Sequence, residues 1–219
     1  MKNQSTEQLV IQKATLNRLP LYYCYLKDKM EKDNLDFISS TTIAGSLHLN
    51  AIQVRKDLAF VSQTAGKPHK GFEMKALIND IENYLGYNNV NEAIIVGIGR
   101  LGHTLLAYKG FQNYGLHIVA GFDNDNDLVG IKVNDRPIFP IDKLYAIINR
   151  LQINIGIITV PAENAQEICN MMVKAGIKAI WNFAPIHLEV PNGILVQYEN
   201  LAASLAKLSK ELLYSLQNK

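Results

Sequence analysis

A glycine-rich turn near the middle of the chain is the feature whose residue types and spacing indicate a defined chemistry. The stretch EAIIVGIGRLGHTLLAYKGF, residues 92–111, reads as a short buried strand, a Gly-x-Gly-x-x-Gly turn and the start of a helix. In such a turn Gly97 permits the tight reversal, Gly99 lets the backbone approach a pyrophosphate, and Gly102 allows close packing of helix on strand. Unpaired N–H groups at the start of the helix then favour an anionic ligand.

A carboxylate follows at the spacing that a dinucleotide site requires. The stretch LHIVAGFD reads as a second strand and ends at Asp123, twenty-one residues after Gly102. A carboxylate at this place accepts hydrogen bonds from a ribose 2′-hydroxyl and repels a 2′-phosphate. The two signals together predict a site for NAD(H) that discriminates against NADP(H). The alternative is that Asp123 merely begins the polar turn FDNDND.

The sequence after this strand alternates helix and strand, as a doubly wound parallel sheet does. PIDKLYAIINRL and AENAQEICNMMVKAG have helical periodicity, whereas INIGIITVP and IKAIWNF read as strands. Loops after the carboxyl ends of parallel strands line the ligand crevice, so residues 159–161 and 182–185 are predicted to reach the dinucleotide, although such loops also serve as plain turns. The predicted cofactor-binding residues are Gly97, Gly99, Arg100, Leu101, Gly102, Asp123, Asn124, Thr159, Val160, Pro161, Asn182, Phe183, Ala184 and Pro185.

A basic segment with two short helices precedes the glycine-rich turn. Residues 1–80 hold eleven Lys and Arg against eight Asp and Glu, an excess that suggests contacts to phosphate. Ser39 or Ser40 can cap the first helix and Asn50 the second, with about three residues between the helices. This arrangement predicts a helix-turn-helix, whose second helix presents Arg55 and Lys56.

The next turn, TAGKPHKGFE, carries Lys67 and Lys70 and predicts a basic wing. Spacing alone leaves another interpretation open, in which the helices form a cap whose basic side chains are simply solvated. A further helix from Phe72 to about Tyr84 leads into the linker GYNNVNE, so we predict a domain boundary near residues 86–91.

No convincing catalytic acid or base accompanies the predicted cofactor site. A Tyr-x-x-x-Lys pair of the kind that transfers protons occurs at Tyr23 and Lys27, but it lies in the first predicted helix, before the cofactor domain. His103 directly follows the glycine motif, and His187 has no acid partner identifiable from sequence. The chain is therefore predicted not to be an enzyme.

A final amphipathic helix is predicted in NLAASLAKLSKELLYSLQNK. Its leucines at positions 201, 205, 208, 212 and 216 form one apolar stripe. Such a helix needs a partner surface, in its own subunit or in a second one.

Composition indicates a soluble protein of two modest domains. Of the 219 residues, 48% are hydrophobic and 19% charged, and no apolar run is long enough to cross a bilayer. The N-terminal residues lack the pattern of a secretion signal. Cys24 and Cys169 lie far apart and outside any C-x-x-C spacing, which suits a reducing compartment. We therefore expect a cytoplasmic protein with no membrane partner.

With these stretches in this order, the chain resembles the Rex family of redox-sensing transcriptional repressors over nearly its whole length. The resemblance is carried by NRLPLYYCYL, SSTTIAGSLHLNAIQVRKDL, VGIGRLG, FDND, ITVPAENAQEI, AGIKAIWNFAP and the closing amphipathic helix. It implies an α/β fold with an N-terminal winged helix-turn-helix, a Rossmann-type parallel sheet domain and a C-terminal domain-swapped helix. The implied boundaries are 1–86 for DNA binding, 87–196 for NAD(H) binding and 197–219 for dimerisation.

The resemblance also implies a function. The protein would be a homodimer that binds palindromic double-stranded operator DNA, senses the ratio of NADH to NAD⁺, and is released from DNA when NADH binds. The implied DNA-binding residues are Ser40, Thr41, Gln53, Arg55, Lys56, Lys67, His69 and Lys70. Arg18 and Tyr108 would couple the winged helix to the cofactor domain, with Asn200 at the start of the swapped helix. From the apolar stripe of that helix we further expect Leu201 to lie beside the nicotinamide ring, where it would tolerate the neutral ring of NADH better than the cation of NAD⁺.

Three departures from the family pattern accompany the resemblance. The usual SYFG…GxGY is replaced by AFVSQTAGKPHKGFE, so the wing and the operator preference are expected to differ. His48 stands where a turn glycine is common. Asn200 occupies the place of an acidic residue, so the carboxylate that would join Arg18 and Tyr108 is absent and the energetics of the switch are expected to change.

Two other functions stay open at the level of sequence. The same glycine loop can cradle other nucleotides, so an NAD-dependent oxidoreductase or a CoA-binding protein with a helical appendage is one alternative. A DNA-binding protein whose Rossmann domain serves chiefly as a dimerisation scaffold is the other.

Overall fold

The chain divides into a helical unit and a unit built on a parallel sheet. The structure, a computed structural model, describes residues 2–33, 35–63, 66–67 and 70–217. The first unit is Met1–Asn89 and the second is Val90–Lys219. Among the described residues, no helix is long and apolar enough to cross a bilayer.

Four helices and a two-stranded ribbon build the first unit. The helices are α1 (Lys2–Asp33), α2 (Ser40–Ser46), α3 (Ala51–Val61) and α4 (Met74–Leu85). The ribbon pairs β1 (Phe37–Ile38) with β2 (Phe72–Glu73) in antiparallel register. All four helices share one apolar core that contains Leu19, Tyr22, Leu26, Ile43, Val54, Leu58, Met74, Leu77 and Ile81. Helices α2 and α3 with the ribbon form a winged helix-turn-helix.

Side chains cap both helices of the helix-turn-helix. The Ser39 hydroxyl accepts a hydrogen bond from the Thr42 N–H at 3.0 Å, so Ser39 caps α2 and Ser40 begins the helix. Asn50 Oδ1 accepts from two N–H groups in the first turn of α3, at 2.9 and 3.2 Å. Between the helices His48 adopts φ +53°, in the left-handed region that favours glycine. The turn therefore forms with a non-glycine residue in this conformation.

A seven-stranded sheet forms the centre of the second unit. Its strands are β3 (Asn91–Val96), β4 (Leu116–Asp123), β5 (Lys132–Val133), β6 (Arg136–Pro140), β7 (Ile155–Ile158), β8 (Ala179–Asn182) and β9 (Leu195–Tyr198). Their order across the sheet is β5-β6-β4-β3-β7-β8-β9. Neighbouring strands are parallel except for the antiparallel pair β5 and β6. This is the Rossmann-type parallel sheet that the sequence predicts.

Helices cover both faces of this sheet, which explains the continuous apolar run in β3. The covering helices are α5 (Arg100–Ala107), α6 (Leu144–Leu151) and α7 (Ala162–Ala175), and a further helix, α8 (Leu201–Gln217), follows β9. In β3, Ile94 and Val96 pack into the same core as α6 and α7. Ile95 points to the other face and shares a core with Leu106 of α5. In contrast to these helices, α8 has no buried residue.

One buried carboxylate ties α1 to α3. Asp57, on α3, is 2% exposed. Arg18 donates to it through Nε at 2.7 Å and Nη2 at 2.9 Å. Tyr22 and Thr15 donate their hydroxyls from α1 at 2.8 and 3.0 Å, and Gln53 donates its amide from α3 at 2.9 Å. A buried charge with this many donors is fully compensated, and it fixes the position of α3 on α1.

These contacts also set the ionisation of the network. Burial raises the pKa of the Asp57 carboxyl, but the hydrogen bonds from Arg18, Tyr22, Gln53 and Thr15 outweigh it and hold this pKa below its ordinary value. Burial and the Asp57 carboxylate raise the pKa of Tyr22 to about 12. The network is therefore in its charged, hydrogen-bonded form at neutral pH.

Arg18→Ala is expected to destabilise the first unit by about 3 kcal/mol, because it leaves the Asp57 charge buried without its cation. Urea unfolding followed by circular dichroism measures this loss. Since the folded pKa of Asp57 lies below the unfolded value, its stabilisation is complete above about pH 4 and is lost as the pH falls through the folded value. Asp57→Asn should therefore flatten the dependence of stability on acidic pH.

Lys29→Ala is the matched control on the same helix. Lys29 forms an exposed i,i+4 ion pair with Asp33 at 2.7 Å, and such pairs contribute about 0.5 kcal/mol or less. Equal destabilisation by Arg18→Ala and Lys29→Ala would contradict the central role of the buried pair.

Candidate functional site

The carboxyl ends of β3, β4 and β7 meet where the strand order changes direction. From β3 the chain passes through α5 to β4 on one side, whereas β7 pairs with the other side of β3. Ligands of open α/β sheets bind in the crevice at such a switch point. The glycine turn leaves β3 at this point.

The three glycines of the turn meet three different steric requirements. Gly97 has φ +94°, and a β-carbon there would approach Val160 Cγ1 to 2.8 Å. A β-carbon at Gly102 would lie 1.8 Å from the carbonyl oxygen of Gly97. At Gly99 a β-carbon would meet nothing within 4 Å, and this residue borders open space. The geometry agrees with the roles expected for a tight turn, a helix packed on a strand, and a backbone accessible to a ligand.

A cavity of about 790 Å³ opens beside this turn, a size that accommodates a cofactor. The predicted cofactor-binding residues that line it are Gly97, Gly99, Asp123, Asn124, Thr159, Val160 and Pro161. Those that do not line it are Arg100, Leu101, Gly102, Asn182, Phe183, Ala184 and Pro185. The structure thus brings together the glycine turn and the ends of β4 and β7, and it leaves the loop after β8 outside this cavity.

Asp123 is held in place by backbone N–H groups. Its Oδ2 accepts from Ile98 at 2.5 Å, and its Oδ1 accepts from Asn124 at 2.8 Å and Asp125 at 3.0 Å. A carboxylate offers about four acceptor sites, so about one remains for an incoming hydroxyl donor. The orientation of Asp123 is therefore fixed before a ligand arrives, as recognition of a ribose requires.

Thr159 shapes the cavity from the end of β7. Its hydroxyl lies within hydrogen-bond distance of two carbonyl oxygens, Gly97 O at 2.7 Å and Val96 O at 3.0 Å. This contact ties the end of β7 to the glycine turn. Thr159 therefore positions the turn as well as bordering the cavity.

Sequence reasoning missed two parts of the cavity lining. One consists of Val96, Asp125, Leu128 and Ile141, and the other is a wall that comes from α7. Asn164, Glu167, Ile168 and Met171 line it, with the i, i+3, i+4, i+7 spacing of a single helical face. That periodicity was visible in the sequence, but it indicates a buried face equally well. Only the packing of α7 beside β7 reveals which part of the face is left open to the cavity.

The loop after β8 is stabilised by its own asparagine. Asn182 is fully buried, and its Nδ2 donates to Ala184 O and Ile186 O at 3.0 Å each. Its Oδ1 accepts from the Ala184 N–H at 3.0 Å. The Asn182 side chain therefore shapes this loop, and its predicted contact with the cofactor stays a prediction.

A line of aromatic contacts begins in this loop. Phe183 packs on Trp181 with ring centroids 4.6 Å apart, Trp181 meets the edge of Phe111 at 5.8 Å, and Phe111 meets Tyr108 at 5.0 Å. Trp181 Nε1 also donates to Glu199 Oε1 at 3.1 Å, two residues before the first residue of α8. The loop after β8 is thus physically connected both to Tyr108 and to the start of α8.

The predicted recognition helix, α3, has one buried and one exposed face. Val54 and Leu58 are buried, whereas Arg55 and Lys56 are exposed. Thr41, at the start of α2, is also exposed. The basic side chains predicted for DNA binding are therefore accessible.

Two other predicted DNA contacts are constrained by the fold. Ser40 is 7% exposed because it begins α2 against the core, so little of this residue is accessible. Gln53 is exposed, but its amide donates to Asp57. His69 lies outside the described residues.

The wing is anchored by a small hairpin and one aromatic ring. Lys67 and Gly71 exchange two backbone hydrogen bonds, at 2.8 and 2.9 Å. The ammonium groups of Lys67 and Lys70 lie 5.2 and 5.8 Å from the centre of the Phe37 ring, within cation–π range. Phe37 therefore holds both lysines at one end of the ribbon.

The residues predicted to form a switch have separate local roles. Arg18 binds Asp57, as described above. Tyr108 is 55% exposed, and its ring lies against Gly110, where a β-carbon would come within 2.4 Å of it. Asn200 Oδ1 accepts from the Ala203 N–H at 2.9 Å and so stabilises the start of α8. The coupling of Arg18 to Tyr108 stays a prediction.

A winged helix-turn-helix joined to a Rossmann-type crevice is the arrangement of a DNA-binding protein that responds to a ligand. Comparison with known families supports this class. Residues 11–59 match the family model described as "Putative DNA-binding protein N-terminus", and residues 88–186 match the model described as "CoA binding domain". The redox-sensing transcriptional repressor Rex of Treponema denticola is 44% identical over 202 residues, which cover 92% of this chain and 95% of that protein.

Two solved structures are similar over almost the whole chain. RSP in complex with β-NAD⁺ and operator DNA has a TM-score of 0.84 and 32% identity, covering 94% of this chain and 97% of that one. RSP in complex with β-NADH has a TM-score of 0.81 and 33% identity, covering 93% and 97%. The chain belongs to the Rex family of redox-sensing transcriptional repressors. Membership confirms the resemblance, the α/β fold class and the interpretation as a transcriptional repressor and not an enzyme.

Gly102→Ala is expected to destabilise the second unit by at least about 3 kcal/mol, because a β-carbon 1.8 Å from a backbone oxygen forces the backbone to move. Gly99→Ala is the matched variant in the same turn. Its β-carbon meets no protein atom, so stability should change by about 1 kcal/mol or less. Binding of NADH, measured by calorimetry, should nevertheless weaken, because the added methyl occupies the approach to the turn. Unchanged NADH affinity in Gly99→Ala would contradict the assignment of this turn to the cofactor.

Proposed function

We propose that this chain is a homodimeric transcriptional repressor that binds palindromic operator DNA and is released from it when NADH occupies the crevice. The observation that carries the proposal is the presence, in one chain, of a basic helix-turn-helix and a glycine-turn crevice with an oriented carboxylate. Its relative RSP has been solved both with NAD⁺ and operator DNA and with NADH. The domains would be 1–86, 87–196 and 197–219, and the protein would act in the cytoplasm, where DNA is accessible.

The proposed cofactor site begins at the glycine turn. The pyrophosphate would lie against Gly99 and the first N–H groups of α5, and the adenosine ribose would bind Asp123. The nicotinamide would extend toward the loop that contains Phe183 and Pro185. This direction follows from the strand order, in which β7 and then β8 lie on the side of β3 opposite to β4.

The proposed DNA site combines α3 and the wing. Arg55 and Lys56 would enter the major groove or hold its flanking phosphates, and Lys67 and Lys70 would contact the backbone beside it. A two-fold dimer would place two copies of α3 on one side of the duplex, and this requires a palindromic operator.

The proposed dimer is formed through α8. Its five stripe leucines, at positions 201, 205, 208, 212 and 216, are 57–67% exposed in the single chain. A continuous apolar stripe of this kind is unfavourable in water and is characteristic of an interface. Packing against the crevice of a second copy would bury the stripe and bring Leu201 beside the nicotinamide ring.

The proposed switch uses the chemical difference between the two cofactor forms. NADH carries an uncharged, puckered nicotinamide ring, and an apolar side chain such as Leu201 tolerates it better than the cation of NAD⁺. The contacts from Phe183 through Trp181 to Tyr108 and Glu199 offer a route by which an occupied nicotinamide site alters Tyr108 and the start of α8. To shift the population of two dimer forms from 1:99 to 99:1, a cofactor must bind the favoured form about 10⁴-fold more tightly than the other form.

Asp123→Ala is expected to weaken NADH binding and to reduce the discrimination against NADPH, because it removes both the acceptor for the ribose hydroxyl and the charge that repels a 2′-phosphate. Calorimetric titration of both cofactors measures this change. Asp127→Ala is the control, since Asp127 lies on the same turn but does not line the cavity, and it should leave the preference for NADH intact. Wild-type protein that binds NADPH as tightly as NADH would refute the role of Asp123.

Wild-type protein is expected to bind operator DNA more weakly at saturating NADH than at saturating NAD⁺. Leu201→Ser should reduce this ratio about fivefold, since roughly 1 kcal/mol of apolar contact to the neutral ring is lost, and Tyr108→Phe should also reduce it. Leu216→Ser, at the opposite end of the same stripe, is the matched control and should weaken the dimer without changing the ratio. Gel shifts at fixed cofactor concentration measure all four proteins.

Equal operator affinity in the two redox states would overturn the sensor function. If NADH does not bind at all while DNA does, the second unit serves chiefly as a dimerisation scaffold. Turnover of NADH with a carbonyl substrate would instead favour an oxidoreductase.

A further inference from the structure

The exposed face of α3 contains an isoleucine among basic residues. Ile52 is 65% exposed and is the second residue of the helix. Its backbone N–H is held by the Asn50 cap at 2.9 Å, which fixes the first turn of α3. The other large exposed apolar residue of α3, Phe60, packs on Tyr84 with ring centroids 5.5 Å apart. Ile52 therefore stands in solvent at the end of the helix where a recognition helix contacts bases.

The neighbours of Ile52 define what this part of the surface can recognise. Arg55 and Lys56 lie three and four positions further along and share its face. Asp57, the one acid in the sequence of α3, is turned inward and paired with Arg18. The outward face therefore presents one branched aliphatic group beside two cations, and no carboxylate of α3 opposes an approaching phosphate.

This combination has a specific complement on DNA. The two cations match the phosphate backbone, which carries no sequence information. An aliphatic side chain gains nothing from phosphate, and the apolar group that the major groove offers is the C5-methyl of thymine. Gln53, the adjacent polar side chain, is oriented by its bond to Asp57 at 2.9 Å. In the first turn, Ile52 is therefore exposed and free to contact a base, whereas Gln53 is held by its hydrogen bond to Asp57.

We propose that Ile52 is a specificity-determining residue that contacts the C5-methyl group of one thymine in the major groove of each operator half-site. The proposal rests on the proposed repressor function and assigns a base preference to a residue beyond the DNA-binding residues predicted from the sequence. It makes Ile52 a reader of sequence, whereas Arg55 and Lys56 supply affinity through charge.

Replacement of thymine by deoxyuridine tests the contact, because it removes a single methyl group and keeps base pairing. The probe is the duplex that wild-type protein selects from a random-sequence pool, with each half-site thymine replaced in turn in both half-sites. At one position, the replacement should weaken wild-type binding about fourfold per half-site. This factor corresponds to the loss of about 0.8 kcal/mol for one buried methyl group, since about 1.4 kcal/mol equals a tenfold change in affinity. At that position Ile52→Ala should bind the thymine and deoxyuridine duplexes equally.

Two variants separate a methyl contact from a general loss of binding. Ile52→Val keeps a branched aliphatic group and should retain most of the preference for thymine. Lys56→Ala should weaken binding to all the duplexes by a similar factor and reduce its salt dependence, while the preference for thymine stays. Since Ile52 is exposed, the circular dichroism spectrum and thermal unfolding of Ile52→Ala should match those of the wild type.

The possible outcomes distinguish this proposal from the function on which it rests. A deoxyuridine penalty that is the same in wild type and Ile52→Ala at every position would overturn the contact and leave the repressor function standing. A selection that enriches no sequence would overturn operator binding itself, and the role of Ile52 with it.

Discussion

Close backbone approach at the glycine turn is the constraint on which the second unit depends. Helix α5 starts beside β3 because position 102 has no side chain, since a β-carbon there would stand 1.8 Å from Gly97 O. The same closeness sets Val160 against Gly97, and the Thr159 hydroxyl joins the ends of β3 and β7. With these segments locked, the carboxyl ends of β3, β4 and β7 share one edge. The cavity is the space that remains beside Gly99, where no side chain fills it.

In the first unit, the buried carboxylate of Asp57 pairs with Arg18 and leaves the exposed Arg55 and Lys56 without an acidic partner from α3. Asp57 is buried and receives donors from α1 and α3, so it orients the helix that we propose for DNA binding. Because this acid faces inward, the outward face keeps Arg55 and Lys56 without a counter-charge from α3. A chain with a net charge of only +2 can in this way present a locally basic surface. Arg18 consequently has a structural role, whatever its part in coupling the two units.

Two further features are suited to regulation: an exposed apolar helix and a chain of aromatic contacts beside it. The leucine stripe of α8 is unburied in the single chain, and Trp181 links the loop after β8 to both Tyr108 and Glu199. Surfaces that change partners cannot be packed permanently into one core. The buried cores therefore fix the geometry of the crevice and of the helix-turn-helix, whereas the exposed stripe of α8 remains available for contact with a second copy.

Local signals in the sequence predicted the strands β3, β4, β7 and β8, the glycine turn, the Asn50 cap and the amphipathic α8, because each depends on residues close in the chain. They did not predict β5, β6 and β9, and they placed Phe72 in a helix that begins only at Met74, after the short strand β2. Alternation of strands and helices was enough to predict the parallel sheet. The tertiary structure decided that Asp57 is buried against Arg18, that Asn182 supports a turn, and that α7 forms a wall of the cavity. These pairings join residues distant in sequence, and periodicity states which face of a helix is apolar but not what that face meets. The exposure of Ile52 likewise followed only once α1 and α4 had covered the opposite face of α3.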